Sequence, residues 1–245
     1  MKKNKKIIIS LCVSSLLSGI LINPILANDN IVYDTANITK ILDDEFNKNN
    51  TDVVSELQKL KEKYVNLLDN VISNYDRESI NTTISNLDLL INEYKITSKL
   101  KASHSTNVSA VVAWFGMQGY LLSADLLVHM KMNKKLNSYY TPASHLLQKV
   151  TNSSRFLRIR DAKKTSGSDA FPNSGSVGER DCYYAIHKFN FSKPSANSRQ
   201  VTITDTYDYD STKNYEGIAG IAINAMYKAQ QDGYLTPFKI KWTFK

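Results

Sequence analysis

The stretch VTITDTYDYD, residues 201–210, holds Asp205, Asp208 and Asp210 among hydroxyl and aromatic side chains. Read as a strand, period-two alternation puts Val201, Ile203, Asp205, Tyr207 and Tyr209 on one face. Thr202, Thr204, Thr206 and Asp208 then fall on the other. Asp205 is thereby expected on an apolar face, where an unpaired carboxylate costs on the order of a few kcal/mol. Carboxylates placed at that cost cluster at functional sites, and a β-bulge near the strand end is the bland way to return one to solvent. Such a carboxylate is relieved by pairing, hydrogen bonding or a bound cation. His187 raises the same question. With 182–192 read as a strand, it shares a face with Tyr183, Ala185, Phe189 and Phe191. It becomes an acid–base partner only if its strand neighbours that of Asp205, and is otherwise a satisfied core histidine.

Other reactive side chains carry less. Asp125 and His129 are four residues apart and share a helix face, as an acid–base pair, half of a metal site, or a polar pair that satisfies itself. Cys182 stands within DCYYAIHKF and reads as a buried structural thiol rather than a nucleophile. The glycines of AKKTSGSDAFPNSGSVGERD, residues 162–181, lack the spacing and strand–helix context of a phosphate-binding loop.

These residues need elements to position them. Residues 51–73 and 79–96 show helical periodicity and are joined by NYDRES, which predicts an antiparallel helical hairpin with Asp52 near its start. From Ser105 to Ala124 there is no charge, so this helix is either a buried centre or a membrane-inserting segment. SRFLRIRD reads as a short basic strand and CYYAIHKFNFS as an aromatic one. YEGIAGIAINAMYKAQQDG is a helix closed by Gly233, and PFKIKWTFK a final half-buried strand whose lysines face water. The fold class is α+β: a helical hairpin followed by a mainly antiparallel sheet packed with helices.

The N-terminus resembles a secretion signal, with MKKNKK basic, an apolar run, and Ala27 for cleavage. That divides the chain into a signal peptide at 1–27, a helical extension at 28–105 and an α+β domain at 106–245, in a secreted protein. Four of the 31 basic residues and none of the 23 acidic ones lie in 1–27, so the remainder has an excess of four positive charges. Such an excess is no argument for nucleic acid, although it would not hinder approach to an anionic envelope. One cysteine remains beyond the signal and cannot form an internal disulfide.

DTYDYDSTKNYEGIAG, followed by a helix and LTPFKIKW, resembles the end of colicin M-type bacteriocins. Asp205, Tyr207, Asp208, Tyr209, Gly217, Ile218 and Gly220 stand at the matching places, and a looser likeness extends over 106–245. The resemblance implies a colicin M-like fold and a Mg²⁺-dependent, phosphodiesterase-like hydrolase. Its substrate would be lipid II, the undecaprenyl-pyrophosphate-linked peptidoglycan precursor. Asp205 and Asp208 would be the essential, metal-holding carboxylates, and Tyr207 would orient one of them or touch substrate. Where that family has a His-Arg pair, this chain has Tyr215-Glu216, and Lys213, Arg158, Arg160 or His187 are the candidates to replace it. Three readings follow: a bacteriocin-like, antimicrobial enzyme acting on a lipid-linked precursor at the membrane surface; a non-catalytic secreted protein binding a protein partner through the hairpin; and a toxin inserting 105–124.

Overall fold

The computed structural model describes residues 35–98, 103–210 and 217–245. The expected signal peptide, and Lys213, Tyr215 and Glu216, lie outside them. Among the described residues the elements are α1 (Thr35–Lys48), α2 (Val53–Leu68), α3 (Asn74–Thr97), α4 (His104–Met117), α5 (Leu121–Met132), α6 (Ser144–Thr151) and α7 (Ser154–Asp161). Then follow β1 (Ser166–Ala170), α8 (Val177–Ile186), β2 (Lys188–Ser192), β3 (Val201–Tyr207), α9 (Gly217–Gln231) and β4 (Phe238–Phe244). The four strands form one antiparallel sheet in the order β1-β2-β3-β4, so the chain is α+β.

The centre is α4. Every residue from Ser105 to Gly116 is buried, because α1, α2, α3, α5 and α9 all pack against it. A helix apolar on all sides has no solvent face to present, and here neighbouring helices supply the surroundings. The uncharged run is not one helix: Gly119, with φ +77°, ends α4 and lets α5 restart at Leu121. At about 21 Å, α4 is shorter than a bilayer's hydrocarbon core of about 30 Å. No helix among the described residues is long and apolar enough to cross a membrane. Gly116 lets α2 approach closely, since a Cβ there would sit 3.0 Å from Leu60 Cβ.

Three local expectations are overturned. NYDRES is not a link but the first turns of α3, which Ser73 caps by accepting from the Asp76 amide. SRFLRIRD is α7 rather than a strand. Ser153 caps it, and Phe156 and Ile159, three apart, are the side chains it buries. Residues 182–192 are not one strand either. A capping box between Ser176 and Glu179 starts α8, which runs to Ile186 before β2 begins at Lys188. Period-two reasoning failed there because the helix buries Asp181, Cys182, Tyr183, Ala185 and Ile186 through tertiary contacts.

Among the described helix starts, α5 at Tyr120 and α6 at Ala143 have no side-chain cap of their own. Both are capped from a distance. Asp181 of α8 accepts from the Leu122 amide at 3.0 Å, the Ser123 amide at 2.9 Å and Ser123 Oγ at 2.7 Å, and is paired with Lys149 of α6. Asp76 of α3 accepts from the Ser144 amide at 2.7 Å and from Ser144 Oγ. Asp181 is 0% exposed, so its replacement strands buried donors and a lysine. Asp181→Ala is expected to cost about 3 kcal/mol in urea unfolding. Asp161→Ala, which breaks a solvent-exposed pair with Arg160, should leave the urea midpoint unchanged.

Candidate functional site

The C-terminal end of β3 opens into a pocket of about 200 Å³. One wall is the end of α8 and its turn into β2, from Tyr183 to Lys188; the other is Asp205 to Asp210, with Ile223 of α9 between. Asp205, Tyr207, Asp208 and His187, the four residues singled out from sequence, therefore line one cavity. They arrive by a route different from the expected one. His187 is not in a strand but in the hinge that ends α8, where its carbonyl accepts from the Phe171 amide at 2.8 Å. Its ring lies 4.5 Å from that of Tyr183.

Asp205 stands where alternation puts it. Its antiparallel partner across the ladder is Ile240, and its same-face neighbours Ile203 and Tyr207 are buried. It is only half-buried because the inner face opens into the pocket at this level. Burial pushes its carboxyl from the usual 3.8 up to about 7; the Thr206 amide opposes this and the charge of Asp208 adds to it. Asp208 is also raised, first by burial and then by Asp210. His187 is lowered, by burial and by the adjacent Lys188, and so favours the neutral form that can take a proton.

Tyr207 has another task. Its hydroxyl meets that of Tyr209 at 2.8 Å and its ring stacks on Phe238. These contacts join it to the core rather than to either carboxylate. Gln230 of α9 holds the end of β3 in place, its Oε1 accepting from the Tyr209 amide at 2.8 Å and its Nε2 donating to the Tyr209 carbonyl at 3.4 Å. Sequence reasoning passed over Gln230 and Lys188. A half-buried glutamine near the end of a largely apolar helix was the signal available for the first.

Asp125 and His129 lie outside this pocket and do not satisfy each other: Asp125 is bonded to other side chains, and His129 Nε2 is buried with no hydrogen-bond partner among the described residues. Asp125 accepts from Thr83 Oγ1 at 2.6 Å and Tyr140 OH at 2.9 Å, and burial raises it to about 6. His129 stacks on Tyr140 with ring centroids 3.7 Å apart, and burial lowers it to about 4. Cys182 is buried, its thiol pushed well up by desolvation, which suits packing and not nucleophilic attack.

Among the described residues, no three His, Cys, Asp or Glu side chains converge to hold a metal ion by themselves. Two coupled carboxylates at a pocket rim still fit Mg²⁺, which is ordinarily held by one or two carboxylates with waters and substrate phosphates completing the shell. No family model, curated protein or solved structure matches the chain.

The raised Asp205 gives a signed expectation. The folded state holds its proton more tightly than the unfolded chain, so the stability it costs is absent below about pH 4 and complete above about pH 7. Asp205→Asn should raise stability at pH 8 by about 1 kcal/mol or more and leave it unchanged at pH 4. Urea unfolding at the two pH values measures this directly.

Proposed function

We propose that the chain is an exported, Mg²⁺-dependent hydrolase of the lipid II type of substrate, a polyprenyl-pyrophosphate-linked envelope precursor, in the manner of colicin M-like bacteriocins. The observation that supports it is the meeting of His187, from the end of α8, with Asp205 and Asp208, from the end of β3, in one pocket. A bound Mg²⁺ would supply charge neutralisation for the pyrophosphate. Asp205 and Asp208 are the residues to hold it, and Mg²⁺ would favour the ionised form of Asp205. Neutral His187 would accept a proton as water attacks phosphorus, and would return it to the polyprenyl oxygen as the P–O bond to that oxygen breaks, releasing the polyprenol. Lys188, on the same rim, provides the positive charge for phosphate oxygens that the absent His-Arg pair would otherwise bring.

A second reading keeps the pocket for binding alone. It is favoured by Tyr207, whose hydroxyl is engaged with Tyr209 and oriented toward neither carboxylate.

Labelled lipid II separates the two. The hydrolase reading expects a pyrophosphoryl sugar–peptide to be released with Mg²⁺ and not with EDTA. Asp205→Asn should slow release by about a hundredfold or more, and His187→Gln by at least about tenfold. Folded protein that binds lipid II without releasing product would support the binding reading instead.

A further inference from the structure

The outward face of the sheet forms a polar platform. Cross-strand register places Ser192, Thr202 and Thr243 in one row. The next row holds Ser168, Asn190, Thr204 and Lys241. A third, at the pocket end, carries Lys188 on β2 and Lys239 opposite Thr206. These side chains are exposed or half-exposed, and no row contains a carboxylate or an aromatic ring. The acids of the same strands turn the other way: Asp169 pairs with Arg155, and Asp205 enters the pocket.

Hydroxyls and amides knit the surface across strands. Thr202 Oγ1 meets Thr243 Oγ1 at 3.0 Å, and Ser168 Oγ donates to Asn190 Oδ1 at 2.6 Å. Among the described residues, Lys188, Lys239 and Lys241 make no ion pair. Lysines on β4 can be explained as guards of an edge strand. Lys188, on the interior strand β2, has no such task. A soluble face also ordinarily mixes charges of both signs, whereas the three strand rows carry a single sign, with the exposed Asp208 just past the end of β3.

We propose that this face docks a phosphodiester-linked polyol polymer, an anionic chain rich in hydroxyl groups. Lysine ammoniums act as point charges for phosphate, and the serine, threonine and asparagine groups match polyol hydroxyls. Nucleic-acid single strands are disfavoured because the rows offer no ring for bases to stack on. A lipid surface is disfavoured because the rows offer no large apolar side chain to insert, only the methyl group of Ala170 beside Lys188. Lys188 and Thr206 belong to both face and pocket, so a polymer lying on the platform reaches the pocket rim. The proposal does not depend on hydrolysis occurring there.

The test is binding of the full chain to immobilised poly(glycerol phosphate). Parallel channels carry neutral dextran, single-stranded DNA and phosphatidylglycerol vesicles. The expected result is binding to the polymer in preference to the other three, weakening as salt is raised. The combined variant Lys188→Gln, Lys239→Gln, Lys241→Gln should bind at least about tenfold more weakly, with an unchanged melting temperature. A charge-matched variant at Lys40, Lys95 and Lys135, all exposed elsewhere, should bind like the parent. Equal loss in the charge-matched variant, no loss in the face variant, no binding to the polymer, or preference for DNA or vesicles would each overturn the proposal.

Discussion

The buried carboxylate of Asp181 organises much of this molecule. It closes the N-terminus of α5, pairs with Lys149 of α6, and is itself part of α8. Three helices are thus tied by one charge that has no solvent to fall back on. Such a group tolerates little displacement, because any shift strands donors in a low-dielectric interior. The segment that follows it immediately, Tyr183 to Lys188, is one wall of the pocket. Asp181 therefore acts as a positioning residue for His187, through the helix that both share. The opposite wall is fixed differently, by Gln230 of α9 gripping the backbone of Tyr209.

Between these walls the electrostatics are deliberate in a physical sense. The inner face of β3 is apolar up to Ile203, and Asp205 interrupts it where the sheet opens. Burial chiefly raises its proton affinity, the charge of Asp208 adds to it, and Asp208 is raised in turn by burial and by Asp210. A cation or a proton relieves that repulsion, so the pocket is an attractor for positive charge. Lys188 and the lysines of β4 stand on the other side of the sheet. The two signs are thereby separated across one layer of strands, with Thr206 and Lys188 at the boundary.

The terminal half of the fold was the most legible from sequence. Val201, Ile203 and Tyr207 on β3, and Phe238, Ile240 and Trp242 on β4, alternate as a one-sided sheet requires, and the structure buries each of them. The placement of Asp205 followed from the same alternation. Legibility failed where tertiary contacts outweighed local pattern. Tyr183, Ala185 and His187 alternate convincingly, yet a capping box upstream and Asp181 within make that segment a helix. β1 was missed because SGSDA has no apolar pattern; it pairs with β2 through its backbone. The role of Asp181 was equally hidden, since its partners Leu122, Ser123 and Lys149 lie 30 residues or more away in sequence. Four candidate residues nevertheless met in one pocket, because His187 falls at a helix end that the sheet brings beside β3.

The central claim is that Asp205 is a strained carboxylate held ready for a divalent cation. A ¹³C NMR pH titration of its side-chain carboxyl carbon, with and without Mg²⁺, tests this most directly. The account predicts a midpoint near the value of about 7 without metal and a downward shift of at least about one unit when Mg²⁺ is added. A midpoint in the ordinary aspartate range, unmoved by Mg²⁺, would contradict it.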